Sequence, residues 1–92
     1  MAYYVYILKS EVNDSFYKGS TNDLKRRFEE HNKGKEIATK KYLPWKLIWY
    51  TEKPSKSEAY RLEMKLKNLS IERTLEFMNK YPSEKFGGPD VS

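Results

Sequence analysis

Tyr3 to Lys9 (YYVYILK) is apolar on both alternating faces apart from its lysine, the pattern of a strand covered on two sides. Tyr4, Tyr6 and Leu8 share one face; Tyr3, Val5 and Ile7 share the other. Residues 11–15 (EVNDS) carry Asn-Asp turn chemistry, and Phe16-Tyr17-Lys18 returns as a second strand that Gly19 ends. So short a connection predicts an antiparallel hairpin. Pairing Ser10 with Ser15 gives an even-numbered loop, which puts Tyr6 and Tyr17 on one face, diagonally apart. Asn22 or Thr21 caps a helix that starts near Asp23. Leu24, Phe28 and His31 recur along one side of it, Arg27 borders them, and Gly34 supplies the stop. Lys35 to Leu43 is basic and aperiodic, and is expected to be loop. After Pro44, Trp45, Leu47 and Trp49 alternate with Lys46, Ile48 and Tyr50 as a third strand, over residues 45–51. Ser55 and Glu58 have capping-box spacing at the start of a helix whose buried stripe is Ala59, Leu62, Leu66 and Leu69. Ser70 caps a last helix with Ile71, Leu75 and Met78 turned inward.

The order β-β-α-β-α-α predicts an α+β fold, a small three-stranded antiparallel sheet flanked by helices. The 92 residues fit one domain and leave no room for two. That domain is expected over residues 1–81, with a flexible C-terminal tail over 82–92, where two glycines and two prolines fall within eleven residues. The absence of cysteine excludes a disulfide framework and thiolate zinc sites, and the single histidine excludes two-histidine metal clusters. No apolar run approaches the roughly 20 residues of a membrane span, and the N-terminus lacks a signal peptide's basic start. A cytoplasmic protein without membrane association is the expectation.

Charge sharpens this picture. The net charge is +5, and the whole excess lies between Lys18 and Lys46, where nine basic residues face four acidic ones. A segment of that kind suits a phosphate-bearing partner, although a plain solvated face has the same composition.

Three constellations could carry chemistry. Tyr6 and Tyr17 present two phenols on one hairpin face, where core packing is the bland alternative. Arg27 and His31, at i,i+4, share a helix face. A guanidinium grips phosphate bidentately and an imidazole beside it can move a proton. The alternative is an Arg27 paired with a surface acid and a His31 that closes the helix. Glu63 sits at the border of the Ala59-Leu62-Leu66 stripe. A lone carboxylate there could hold one magnesium ion, or could pair with Lys67 four residues on. Glu63-Met64-Lys65 with Pro89-Asp90 mimics a restriction-nuclease pattern, but the order is wrong and the resemblance is discarded.

Tyr4-Val5-Tyr6, followed ten residues later by Tyr17-Lys18-Gly19, resembles the paired motif of the GIY-YIG nuclease superfamily. The segments Asn22 to Asn32 (NDLKRRFEEHN) and Ser57 to Lys67 (SEAYRLEMKLK) resemble that family's arginine helix and metal-binding helix. The likeness spans about residues 3–70 and is strongest to short standalone bacterial members related to the N-terminal nuclease domain of the excinuclease C subunit. It implies a metal-dependent endonuclease acting on nucleic acid, DNA before RNA, in repair or recombination. Tyr6, Tyr17, Arg27 and His31 would then be catalytic, and Glu63 would hold a single Mg2+ or Mn2+ ion. Lys18, Arg26, Lys33, Lys35, Lys40 and Lys41 would bind flanking phosphates. The chain departs from the pattern at Tyr4, where the motif has glycine, and at Lys18, where it has an apolar residue. Ser20 stands where some relatives carry a basic residue, and the asparagine that others have after the metal helix has no counterpart. A tyrosine serving as base at pH 7 needs its pKa lowered from about 10, at about 4 kcal/mol of phenolate stabilisation, for which the metal and Arg27 are the sources. Without a second DNA-reading domain, sequence specificity should be poor unless a targeting protein supplies it. Two rivals are a nucleic-acid-binding module of the same fold that lacks turnover, and a protein-interaction domain built on the tyrosines and tryptophans. The localised charge argues against the latter.

Overall fold

The computed structural model describes residues 2–84. Along them run β1 (Tyr3–Ser10), β2 (Phe16–Thr21), α1 (Leu24–Asn32), α2 (Ile37–Lys40), β3 (Trp45–Lys53), α3 (Lys56–Lys67) and α4 (Ile71–Lys80). The strands form one antiparallel sheet in the order β2-β1-β3. The expected architecture is present, with one additional short helix.

The two-faced apolar pattern of β1 makes it the central strand, and Val5, Tyr6, Ile7 and Leu8 are all buried. Val5 and Ile7 pack with Trp49, Ala59 and Leu66 under α3 and α4. On the opposite face, Tyr6, Leu8 and Trp45 pack with Leu24 and Phe28 of α1. The hairpin has the anticipated register. The Ser10 amide donates to the Ser15 carbonyl at 3.0 Å, and Leu8 pairs with Tyr17. Gly19 does not end β2, which runs on to Thr21. Gly19 instead pairs with Tyr6, and a Cβ there would stand 2.6 Å from the Tyr6 phenolic oxygen. The glycine is needed so that a buried ring can lie against the backbone.

Asp23 caps α1, its side chain accepting from the Arg26 amide at 3.1 Å. Thr21, expected as a cap, accepts from the Asp23 amide instead. Gly34 takes φ 75° beyond the helix end, the left-handed conformation that suits its predicted role. The Asn32 side chain bonds both backbone groups of Trp45, at 2.9 and 2.7 Å, and ties α1 to β3.

Residues 35–43 are not all loop. Ile37–Lys40 closes one helical turn, anchored by the buried Thr39, whose carbonyl accepts the Trp45 indole N–H at 2.7 Å. A single turn is too short to display helical periodicity.

β3 breaks its expected alternation. Ile7 pairs with Trp49 and Leu8 with Leu47, so Ile48 is an extra residue, a bulge. Leu47 packs on the α1 side, whereas Ile48 and Trp49 both face α3 and α4. That shift re-aims α4. The Phe77 ring meets Trp49 edge-on at 5.3 Å, and Thr74, Phe77 and Met78 form the inward face. Ile71 and Leu75, expected inside, are each 51% exposed. Ser55 and Ser70 cap α3 and α4 as anticipated.

At the far edge of β3, Ser83 and Glu84 hydrogen-bond to Tyr50, Thr51 and Glu52. The remainder of the expected tail lies outside the described residues. Among those described, no helix is long and apolar enough to cross a membrane.

Candidate active site

The hairpin and α1 bring three rings together. Tyr6, 1% exposed, places its hydroxyl 2.9 Å from His31 Nε2. Tyr17, half-buried on the edge strand, lies 4.7 Å from the His31 ring and 6.3 Å from that of Tyr6, centroid to centroid. His31 is fully buried, and its Nδ1 lies 2.9 Å from Thr39 Oγ1. Thr39 in turn donates to the Glu36 carbonyl at 3.4 Å. One proton arrangement satisfies the whole row: Tyr6 O–H donates to Nε2, and Nδ1–H donates to Thr39. This requires a neutral imidazole. Burial, together with the charge of Arg27, pushes the His31 pKa down to about 4, so it is neutral at pH 7.

Burial is also the main influence on Tyr6. It raises the phenol's pKa well above its ordinary value, Tyr17 adds to the rise, and Arg27 opposes it. Tyr6 therefore keeps its proton at neutral pH.

Arg27 lies between α1 and α2, its guanidinium bonded to Glu30 at 3.1 Å and to Glu36. Burial disfavours its charge, but the bonds to Glu36 and Glu30 outweigh that and hold the guanidinium above its usual range. The alternative reading of Arg27, a pair with a surface acid, is the one the structure forms, whereas the phosphate-binding reading needs an available cation. Here two carboxylates already occupy it.

Glu63 comes from α3, on the other face of the sheet, and reaches Ser20 on the edge strand β2. Its side chain is only 13% exposed, one oxygen accepting from Ser20 Oγ and the other bound to Lys67 Nζ at 2.9 Å. The anticipated i,i+4 pair with Lys67 is thus formed. The charges of Arg27 and Glu63 act on the Tyr6 phenol in opposite directions, that of Glu63 the weakest of the influences on it.

Among the described residues no three carboxylates or imidazoles assemble into a metal cage. Magnesium does not need one: it keeps several waters and binds through one or two carboxylates plus substrate phosphate. Glu63 fits that role. Lys67, 43% exposed on a flexible stem, can swing into solvent as a cation arrives.

The basic residues divide. Lys33, Lys35, Lys40 and Lys41 are exposed along the α1–α2–β3 connection, and Arg26 is exposed with a loose pair to Glu30 at 3.8 Å. Lys18 stands apart from them. It points to the α3 side, its ammonium 3.4 Å from the Leu69 carbonyl and over the Phe16 ring, and burial lowers its pKa. Sequence reasoning missed Thr39, Glu36 and Glu30. Glu30 stands three residues after Arg27 on the same helix, a spacing that fits a pair but does not choose it, while Glu36 and Thr39 meet Arg27 and His31 across an irregular connection that no periodicity marks.

The comparisons with known proteins agree with this fold. A model of the GIY-YIG catalytic domain matches residues 2–76. A UPF0213 protein of Cupriavidus necator is 35% identical over 89% of this chain and 89% of its own length. The UPF0213 protein BH0048 of Halalkalibacterium halodurans is 41% identical over 76% of this chain and 74% of its own. The solution NMR structure of UPF0213 protein BH0048 from Bacillus halodurans superposes with a TM-score of 0.58 at 36% identity, covering 97% of this chain and 89% of that one. With the tyrosine pair, the arginine helix and the glutamate helix all in place, the chain belongs to the GIY-YIG catalytic domain family, alongside bacterial UPF0213 proteins.

Proposed function

We propose that this protein is a divalent-metal-dependent endonuclease that hydrolyses phosphodiester bonds in nucleic acid, DNA in preference to RNA. The observation that carries the reading is the cluster built by the hairpin and α1, with Tyr6 bonded to His31, half-buried Tyr17 against the same imidazole and Arg27 one turn earlier on that helix, while Glu63 of α3 is held at Ser20 on the edge strand that carries Tyr17. Glu63 is the residue that holds the metal, an Mg2+ or Mn2+ ion whose chemistry is Lewis-acid stabilisation of charge on the scissile phosphate and the leaving oxygen.

The side chains divide the remaining work. Tyr17, the accessible phenol, orients the attacking water. Tyr6, protonated and held by His31, positions the Tyr17 ring and offers a fixed dipole at the floor of the site. Arg27 counters the growing negative charge of the transition state once incoming phosphate competes with Glu30 and Glu36 for its guanidinium. Exposed Lys33, Lys35, Lys40 and Lys41, together with Arg26, bind the flanking phosphates. Lys18 joins them only by leaving the Leu69 carbonyl.

The test is a nicking assay on supercoiled plasmid and on RNA, with Mg2+, Mn2+ or EDTA, comparing wild type with Glu63→Gln. Metal-dependent cleavage by wild type and its loss in a folded variant are expected; full activity in the variant would refute the metal assignment. The sealing of Tyr6 and the double pairing of Arg27 favour one second reading, a nucleic-acid-binding module of this fold without turnover. That reading predicts a gel shift with no cleavage in either metal.

A further inference from the structure

A groove of about 540 Å3 opens between the start of α1 and the β1–β3 half of the sheet, lined by Tyr4, Asn22, Lys25, Phe28, Leu47 and Tyr50. Its volume falls within the range of small-ligand sites, about 300–1,000 Å3. We infer that this groove receives one unpaired nucleobase of the substrate strand, which stacks on Tyr4 and Tyr50. The inference rests on the nuclease reading for the nature of the substrate and names the class of nucleic acid that the same site takes.

Position is the first argument. Tyr50 pairs with Tyr6 across the β1–β3 ladder, and Tyr4 lies two residues before Tyr6 on the same face. The groove therefore begins where the candidate catalytic row ends, within one nucleotide's reach. Shape is the second. The Tyr4 and Tyr50 rings stand 6.2 Å apart at 58°, two faces of a corner, and Leu47 and Phe28 complete an apolar wall. All four side chains are half-buried, so each packs on the sheet while part of it lines the groove. Charge is the third. Lys25 stands at the rim within the basic stretch, placed for the phosphate of a bound nucleotide, and the Asn22 amide offers a donor and an acceptor to a base edge. Asp23, the acid at the same rim, turns its carboxylate to the Arg26 amide. An aromatic corner beside cations is how single strands are held with little regard to sequence. A paired duplex keeps its bases stacked inside and cannot fill it, so strands, flaps or bulges are the favoured substrates.

Fluorescence anisotropy in EDTA tests this without turnover, using short single-stranded DNA and RNA, the same strands with abasic sites, and the blunt duplex. Wild type should bind the intact strand more tightly than the abasic strand or the duplex. Tyr50→Ala should lose about tenfold on the intact strand alone, with Tyr50→Phe restoring it. Stronger loss on DNA or on RNA identifies which polymer the groove suits. Equal affinity of wild type for intact and abasic strands, or of Tyr50→Ala and wild type for the intact strand, overturns the inference. Should Tyr50→Ala not fold, a strand carrying 2-aminopurine decides on wild type: quenching on binding supports base stacking, and unchanged emission refutes it. Base preference without metal-dependent cleavage would remove the nuclease reading and leave the groove's role standing.

Discussion

Lowering the pH from 7 to 4 should cost the folded protein about 3 kcal/mol through His31 alone. The imidazole is fully buried, and burial with Arg27 lowers its pKa from 6.5 to about 4. Below pH 6.5 the unfolded chain takes up a proton that the folded chain refuses until near pH 4. Over that window the unfolded state binds more protons, and stability falls with pH. The full contribution is present above pH 6.5. About 2 kcal/mol of it is gone at pH 5 and about 3 kcal/mol at pH 4. For a domain whose whole stability is of order 5–15 kcal/mol this is a large share. The titratable and charged groups facing His31 are Tyr6, Tyr17, Arg27, Glu30 and Glu36, with the Thr39 hydroxyl on its other nitrogen. Of these, Glu36 is held below its usual 4.5 by the Arg27 hydrogen bond, so its own loss comes only at more acid pH. The interval from pH 6.5 to 5 thus belongs to His31. The assay is urea unfolding followed by fluorescence of the buried Trp45 and Trp49, at steps from pH 7 to 5, for wild type and His31→Gln. The variant should start less stable at pH 7 and then stay nearly flat while wild type falls. Parallel curves would refute the account of a buried neutral imidazole.

Two more outcomes follow from the geometry, beside those already given for Glu63 and Tyr50. Gly19→Ala places a methyl 2.6 Å from the Tyr6 hydroxyl and 3.1 Å from the Tyr17 ring, neither of which can retreat freely. It should cost about 1–3 kcal/mol, read as a lowered melting temperature, and should lower cleavage in whatever fraction stays folded. Replacing Lys40 and Lys41 by glutamine should leave the melting temperature unchanged and flatten the salt dependence of nucleic-acid affinity by roughly one unit of slope per lysine; an unaltered slope would take them out of the interface.

The sequence was most readable where one physical requirement dominated. β1 must be covered on both sides, and its unbroken apolar run says so. Serine caps and the Gly34 stop are local chemistry, legible without tertiary structure. The errors at β3 and α4 share one origin. Strict alternation on β3 put Trp49 beside Leu47, but the extra residue at Ile48 turns Trp49 to the opposite face. Phe77 follows Trp49, and the inward face of α4 rotates away from Ile71 and Leu75. A bulge leaves no mark in the apolar pattern, because Ile48 suits either side. The candidate site residues were singled out by their order and spacing, since Tyr6, Tyr17, Arg27, His31 and Glu63 carry the family likeness. Their surroundings were not. Glu30 and Glu36 neutralise Arg27, Ser20 holds Glu63, and Thr39 fixes the imidazole, each through a contact that only folding creates.

A three-stranded sheet has two rims, and this molecule treats them differently. On β3, Ser83 and Glu84 occupy backbone groups of Tyr50 and Glu52 that would otherwise be open to a foreign strand. Adhesion between copies by strand addition is thereby discouraged on that side by a few residues of the chain's own. The β2 rim holds Tyr17 and Ser20, the latter bonded to Glu63 of α3, so on the proposed nuclease reading any polypeptide zipping onto it would cover the site and compete with substrate. On that reading solubility and turnover ask the same thing of the two rims, that neither be left to another protein's backbone.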